Sequence, residues 1–317
     1  MGRYIVARLI QSIPVLILVS VMSFGIMKLV PGDPAILIGG PTATPAELDN
    51  IRANLGLDQP FHIQMWKFYV GLVQGDLGNS LLLGKPVLQA TIERVPVSLS
   101  IALYSMVLTL GFGIACGVIA ALNRNGWVDQ GAMIFALLGV SIPNFWLGLM
   151  FIILFSVHLG WLPTGGYVPW QESIGGWFAT ATMPAVSLAL LQIGLLARIT
   201  RSTMLEVLRQ DYIRTARAKG LPEFVVIGKH AFKNVMIPVI TVIGIIFSVL
   251  LSGSLVIESV FSVPGVGSLL GSAVLRRDYP MIQGGLLLVA WSLLMLNILV
   301  DVLYAYFDPR VRYDHGR

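Results

Sequence analysis

Of the 317 residues 56% are apolar and only 12% charged, with a mean hydropathy of +0.81, whereas soluble domains run at about 45–50% apolar and about 25% charged. The chain is therefore a membrane protein, and its net charge of +5 sits at the ends of apolar runs, not in the aromatic-interleaved patch that nucleic-acid binding needs. The single cysteine, Cys116, lies inside an apolar run and offers neither a disulfide framework nor a metal cluster.

Arg3 and Arg8 precede an uncharged run from Leu9 to Met27. It is longer than a signal-peptide core and lacks a small-residue cleavage site, so residues 1–30 are expected to form a cytoplasmic tail and a retained first span. Residues 31–96 are the longest polar region and are expected to build an extracytoplasmic cap. Within it, Thr44-Pro45-Ala46-Glu47 has the capping-box pattern with proline at the first helical position, and Gly56 should end that helix. A second helix is expected over 60–74, with Trp66, Tyr69, Val70 and Val73 on one side, before a turn at Gly75-Asp76-Leu77-Gly78. This cap either anchors the first span at the interface or offers a surface to a partner.

Residues 97–307 are expected to form a core of five further spans. The second runs from Val97 to Leu122, where Gly111, Gly113 and Gly117 permit close helix packing. The third, Gly131 to Leu159, is interrupted at Ser141-Ile142-Pro143-Asn144, where proline removes a backbone donor and kinks the helix, either lining a cavity or relieving packing. A loop rich in Gly, Pro and Trp follows over 160–180. The fourth span is expected from about Ala181 to Ala197 and the fifth from Met236 to Val260, with a polar island from Arg198 to Pro238 where they meet. After a connection over 261–281, with a turn at Val263-Pro264-Gly265-Val266-Gly267 and the charged triplet Arg276-Arg277-Asp278, the sixth span runs from Ile282 to Phe307, and 308–317 form a tail with Arg310, Arg312 and Arg317. The expected class is an all-α polytopic membrane protein with six transmembrane helices.

Six spans with the N-terminus inside place fourteen of the 21 Lys and Arg residues in the cytoplasm: two in the N-tail, Arg124, eight in the island and three in the C-tail. Four of the other seven lie in the long first loop, where charge has little say, so the positive-inside rule supports cytoplasmic termini and a cytoplasmic island. In the island, arginine and alanine favour helix from Asp211 to Lys219, Gly220 suits the position past a helix end, and Pro222 discourages continuation. Charge alone leaves open whether the island does more than fix topology.

Catalytic signatures are absent from the sequence. The nearest approach to a phosphate loop, Gly78 to Pro86, has five residues between its glycines where four are required, and proline where the Mg²⁺-binding hydroxyl belongs. His62, His158, His230 and His315 are scattered without zinc spacing, and no GxSxG elbow occurs. No catalytic, cofactor or metal residue is assigned. Glu258 and Asp301 are the carboxylates within expected spans, each near an interface where hydration or structural pairing competes with a proton-relay role.

The segment DYIRTARAKG, continued by LPEFVVIGKHAFKNVMIPVIT, strongly resembles the cytoplasmic loop of ABC-importer permeases of the dipeptide, oligopeptide and nickel family. Further blocks in matching order are ARLIQSIPVLILVSVMSF, VPGDPA, GLDQP, GDLGNS, ESVFSVPGVG, RRDYPMIQGG and NILVDVLYAYFDPRVR. The wider superfamily pattern of Glu-Ala-Ala, three residues and Gly is kept here only at Ala216 and Gly220, with Arg214 and Thr215 at the first two positions; Pro238 lies farther from the glycine than in the general pattern. The resemblance implies a type I importer permease in a bacterial inner membrane, partnered by a second homologous permease, two cytoplasmic ATPase subunits and an extracytoplasmic solute-binding protein. It implies no cofactor, and it assigns ATPase coupling to Asp211, Tyr212, Arg214, Thr215, Ala216, Arg217, Lys219 and Gly220. Arg214 and Arg217, three apart, would share a face able to meet acidic or carbonyl acceptors. The implied cargo is a dipeptide or oligopeptide, with glutathione and nickel chelates as alternatives. An ion-coupled secondary carrier is the rival of another class; it would need midplane carboxylates or an internal repeat of broken helices. A membrane enzyme is the third, opposed by the missing catalytic constellation.

Overall fold

The computed structural model describes residues 2–29, 34–40 and 42–307. The tail at 308–317, Met1, the start of the VPGDPA block and the side chain of Asp301 lie outside the described residues. The helices, in chain order, are α1 (Gly2–Leu29), α2 (Pro34–Gly39), α3 (Pro45–Leu55), α4 (Phe61–Val73), α5 (Val87–Ile92), α6 (Val95–Leu122) and α7 (Trp127–Ser141). They continue with α8 (Asn144–Phe151), α9 (Ile174–Val207), α10 (Asp211–Ala218), α11 (Glu223–Val225), α12 (Phe232–Val260), α13 (Val266–Leu275) and α14 (Tyr279–Phe307). Two π-helical stretches, Ile152–His158 and Val226–Ala231, extend α8 and lead into α12.

The chain divides into two compact units, residues 1–96 with 264–298, and residues 97–263 with 299–317. In the first, Phe24 of α1 makes edge contacts with Phe61 and Phe68 of α4 at ring-centroid distances of 6.0 and 5.3 Å. The α3 start carries both bonds of a capping box: Glu47 N–H donates to Thr44 Oγ1 (3.4 Å) and Thr44 N–H to Glu47 Oε2 (2.8 Å). Gly56 closes its other end at φ 64°. No residue of α4 is fully buried, and Trp66 and Val73 are 70% and 89% exposed. Leu77, Val87 and Ala90 pack with Leu269, Ala273, Met281 and Ile282, so the segment after α4 forms one apolar cluster with α13 and the start of α14. The connection over 261–281, in which the sequence marks only a turn at 263–267, thus carries a helix of its own, because VGSLLGSAVL is an apolar run with a face to bury.

Asp278, read from sequence as part of a charged triplet, is 1% exposed. Its carboxylate accepts from Ser80 Oγ (2.5 Å), from the N–H groups of Leu81 and Leu82 (3.2 Å each) and from Met281 N–H (3.2 Å) at the first turn of α14. The GNSLLLGKP segment is therefore a turn folded over a buried carboxylate.

In the second unit α9 is the central helix, packing with α7, α8 and α12. Its approach to α7 is set by small residues: a Cβ at Gly194 would stand 2.3 Å from the Ala136 carbonyl oxygen, and one at Gly139 2.8 Å from that of Leu190. Gly117 of α6 faces the Ala197 carbonyl in the same way, at 2.6 Å. The 34 residues of α9 span about 50 Å, well beyond the roughly 30 Å of a hydrocarbon core, so Arg198 and Arg201 are carried on its projecting end.

The interruption at Ile142-Pro143 is more than a kink. Both residues are extended, and α7 and the α8 segment meet at 101°, because proline cannot continue the hydrogen-bond ladder and disfavours helix in the residue before it. Five described helices are long and apolar enough to cross a membrane, and six spans result when this bent pair counts as one. In the 160–173 loop, Gly166 N–H donates to the Phe261 carbonyl (2.8 Å) and the Tyr167 and Ser100 hydroxyls meet at 3.0 Å. Trp161 and Trp170 remain exposed, as interfacial aromatics do. Glu258 in α12 is fully buried.

Candidate coupling site

α9 ends at Val207, and three residues later Gln210 begins α10 in an extended conformation, its carbonyl accepting from Ile213 and Arg214 N–H groups. Asp211 in the first turn complements the positive helix end. Ile213 and Ala216, three apart, are the buried residues of α10 and pack in the cluster that contains Met204, Val226, Ala231 and Val235. Every other residue from Asp211 to Gly220 is exposed. A helix with two apolar anchors and a polar remainder is fixed in place while its outer face stays open.

The end of α10 is closed by its backbone. Gly220 N–H donates to the Arg217 carbonyl (2.9 Å) and Leu221 N–H to that of Ala216 (3.4 Å), with Gly220 at φ 74° and Lys219 at the cap. This is a Schellman ending, which requires a left-handed residue at the glycine position. No atom lies within 4 Å of where a Gly220 Cβ would stand, so glycine is needed there for its backbone and not for space.

The structure separates the two arginines that the sequence placed together. Arg217 donates from Nη2 to Glu223 Oε1 (2.6 Å) and from Nε to Oε2 (3.2 Å), a two-toothed bridge across the Gly220–Pro222 turn. Those bonds hold the Glu223 carboxyl below the usual range and raise Arg217 further. Among the described residues Arg214 reaches only Asp211, at 3.5 Å, and its side chain is 73% exposed. Tyr212 Oη accepts from Asn234 Nδ2 (2.7 Å) at the start of α12, and Thr215 Oγ1 donates to the Asp211 carbonyl (2.9 Å). The open polar groups of the helix are therefore Asp211, Arg214, Thr215 and Lys219, with Arg217 and Tyr212 turned to holding the hairpin.

Sequence reasoning missed Ile213 as the anchor, Asn234 and the role of Glu223. The Ile213/Ala216 spacing was a readable signal; a bridge over a Gly-Leu-Pro turn follows no periodic rule. It also missed the ion pair between Arg201 of α9 and Asp129 of α7, at 2.5 and 2.6 Å.

A family model described as "Binding-protein-dependent transport system inner membrane component" matches residues 113–313, and its companion for the N-terminal part matches 1–102. The chain belongs to this family. A protein of Brucella abortus (strain 2308) named as a peptide transport system permease is 52% identical over 99% of this chain and 100% of its own length. The glutathione transport system permease protein GsiC of Escherichia coli O6:H1 is 44% identical over 99% and 100%. Among solved structures, an inward-facing MetNI methionine ABC transporter superposes with a TM-score of 0.55 at 15% identity, over 70% of this chain and 97% of that one. The chain is thus a multi-pass inner-membrane permease of an ABC importer, a transport subunit with the all-α type I fold.

Proposed function

We propose that the protein forms half of the translocation pathway of an ATP-driven peptide importer, with a second similar permease, two cytoplasmic ATPase subunits and an extracytoplasmic solute-binding protein. The observation that carries this reading is α10: a short helix, anchored by Ile213 and Ala216, closed at Gly220 and open along its polar face, in a permease of this family. With both termini in the cytoplasm, α10 seats in a groove of an ATPase subunit, and displacement there rocks the spans between outward- and inward-open states. Peptide cargo is supported by the names of the relatives, and glutathione, itself a tripeptide, is the second reading because of the likeness to GsiC. A nickel chelate has no comparable support from those names.

Reconstituted with its partner subunits, the permease should take up peptide only while ATP is hydrolysed and should keep doing so with an ionophore present; the reverse pattern would identify an ion-coupled carrier. Gly220→Asp should leave binding-protein association intact and abolish uptake. Uptake at the wild-type rate would remove α10 from the coupling path.

A further inference from the structure

Asp129 is almost fully buried, with a side chain 4% exposed, and Arg201 opposite it is 25% exposed. Both guanidinium teeth are used, Nε to Oδ1 at 2.5 Å and Nη2 to Oδ2 at 2.6 Å, and Asn125 N–H adds a third bond to Oδ2 at 2.9 Å. Asn125 adopts φ 62° to present that N–H, so the α6–α7 turn is itself folded around the carboxylate. The pair joins the first turn of α7 to a point ten residues before Asp211, near the end of the helix that leads into α10.

We propose that Asp129 and Arg201 are positioning residues that force the α7 end to follow the α9 end when α10 is displaced, so that motion at the coupling helix reaches the bent α7–α8 span. The inference rests on the coupling role given to α10. Its physical basis is register. A buried ion pair contributes little net stability over well-packed apolar side chains, and its strength depends on geometry, so it defines one alignment of two helices. Farther along, Gly139 and Gly194 bring the α7 and α9 backbones together. Small-residue contact alone permits sliding and rotation; a two-toothed bridge at the end removes both. Met204, one turn beyond Arg201, and Ile213 of α10 lie in the same apolar cluster, which packs the latch end of α9 with the coupling helix across the turn at 208–210.

The test uses the whole reconstituted importer and reads solute taken up per ATP hydrolysed at saturating binding protein. Asp129→Asn should lower that ratio about tenfold while stimulated hydrolysis stays within about twofold. Asp129→Glu, which keeps the charge, should recover most of it. If Asp129→Asn does not assemble, Arg201→Lys is read by the same rule, because lysine keeps the charge and loses the fork. An unchanged ratio in an assembled complex, or uptake and hydrolysis falling in proportion, would overturn the proposal. Wild-type vesicles that accumulate solute without ATP would instead refute the importer reading.

Discussion

Two of the polar segments that interrupt the apolar runs of this chain are held in opposite ways. The turn around Asp278 is organised from inside: one buried carboxylate accepts from Ser80, Leu81, Leu82 and Met281. α10 is organised from its ends, with Ile213 and Ala216 buried beneath it and a backbone closure at Gly220, while its outer charges remain in reach of another molecule. A polar group saturated inside its own chain has no bonding capacity left for a partner. A stiff helix with open charges has that capacity and can transmit a push. On the proposed coupling role, the difference separates a structural polar segment from a working one, although both are marked in the sequence by charged residues.

The largest effect that sharpens this contrast is expected at Asp278. Asp278→Ala strands buried donors and removes the α14 cap, at a cost of about 3 kcal/mol or more. Thermal unfolding of the purified protein should show a large fall in melting temperature, with Asp278→Asn between the two; a change within experimental scatter would mean the turn is not organised by that carboxylate. The smallest effect is expected at Glu223, whose bridge to Arg217 is half exposed and screened by solvent. Glu223→Gln should cost no more than about 1 kcal/mol near neutral pH. The carboxyl is held low in the folded protein, so its contribution is complete above its unfolded value of about 4.3 and is lost as pH falls through the folded value. The stability difference between wild type and Glu223→Gln should accordingly vanish in acid. A difference that persists there would assign the loss to packing and not to charge.

Much of this was legible in the residues because the signals are local. Thr44 and Glu47 name a helix start, Gly220 and Pro222 a helix end, and uncharged runs name the spans. The angle at Pro143 was not legible, since a proline says that the ladder breaks but not where the chain goes next. The burial of Asp278 was not legible because Ser80 lies 198 residues earlier, nor was the pairing of Asp129, because Arg201 lies 72 residues later. The two π-helical stretches carry no sequence mark, and the face shared by Arg214 and Arg217 was lost to Glu223, six residues on. The packing of residues 264–298 with 1–96 likewise depends on an apolar cluster, holding Leu77 and Met281 among others, that no spacing rule foresees.

The central claim, that α10 is the part of this chain an ATPase subunit holds, is tested most directly by site-specific cross-linking in the assembled importer. Cys116 is the single native cysteine, so a Cys116→Ala background gives one reactive thiol wherever it is placed. Arg214→Cys, on the open face of α10, should cross-link to an ATPase subunit, and Leu83→Cys, in the Asp278 turn, should not. An importer that is active yet gives no cross-link from Arg214→Cys, or gives one from Leu83→Cys, would contradict the account.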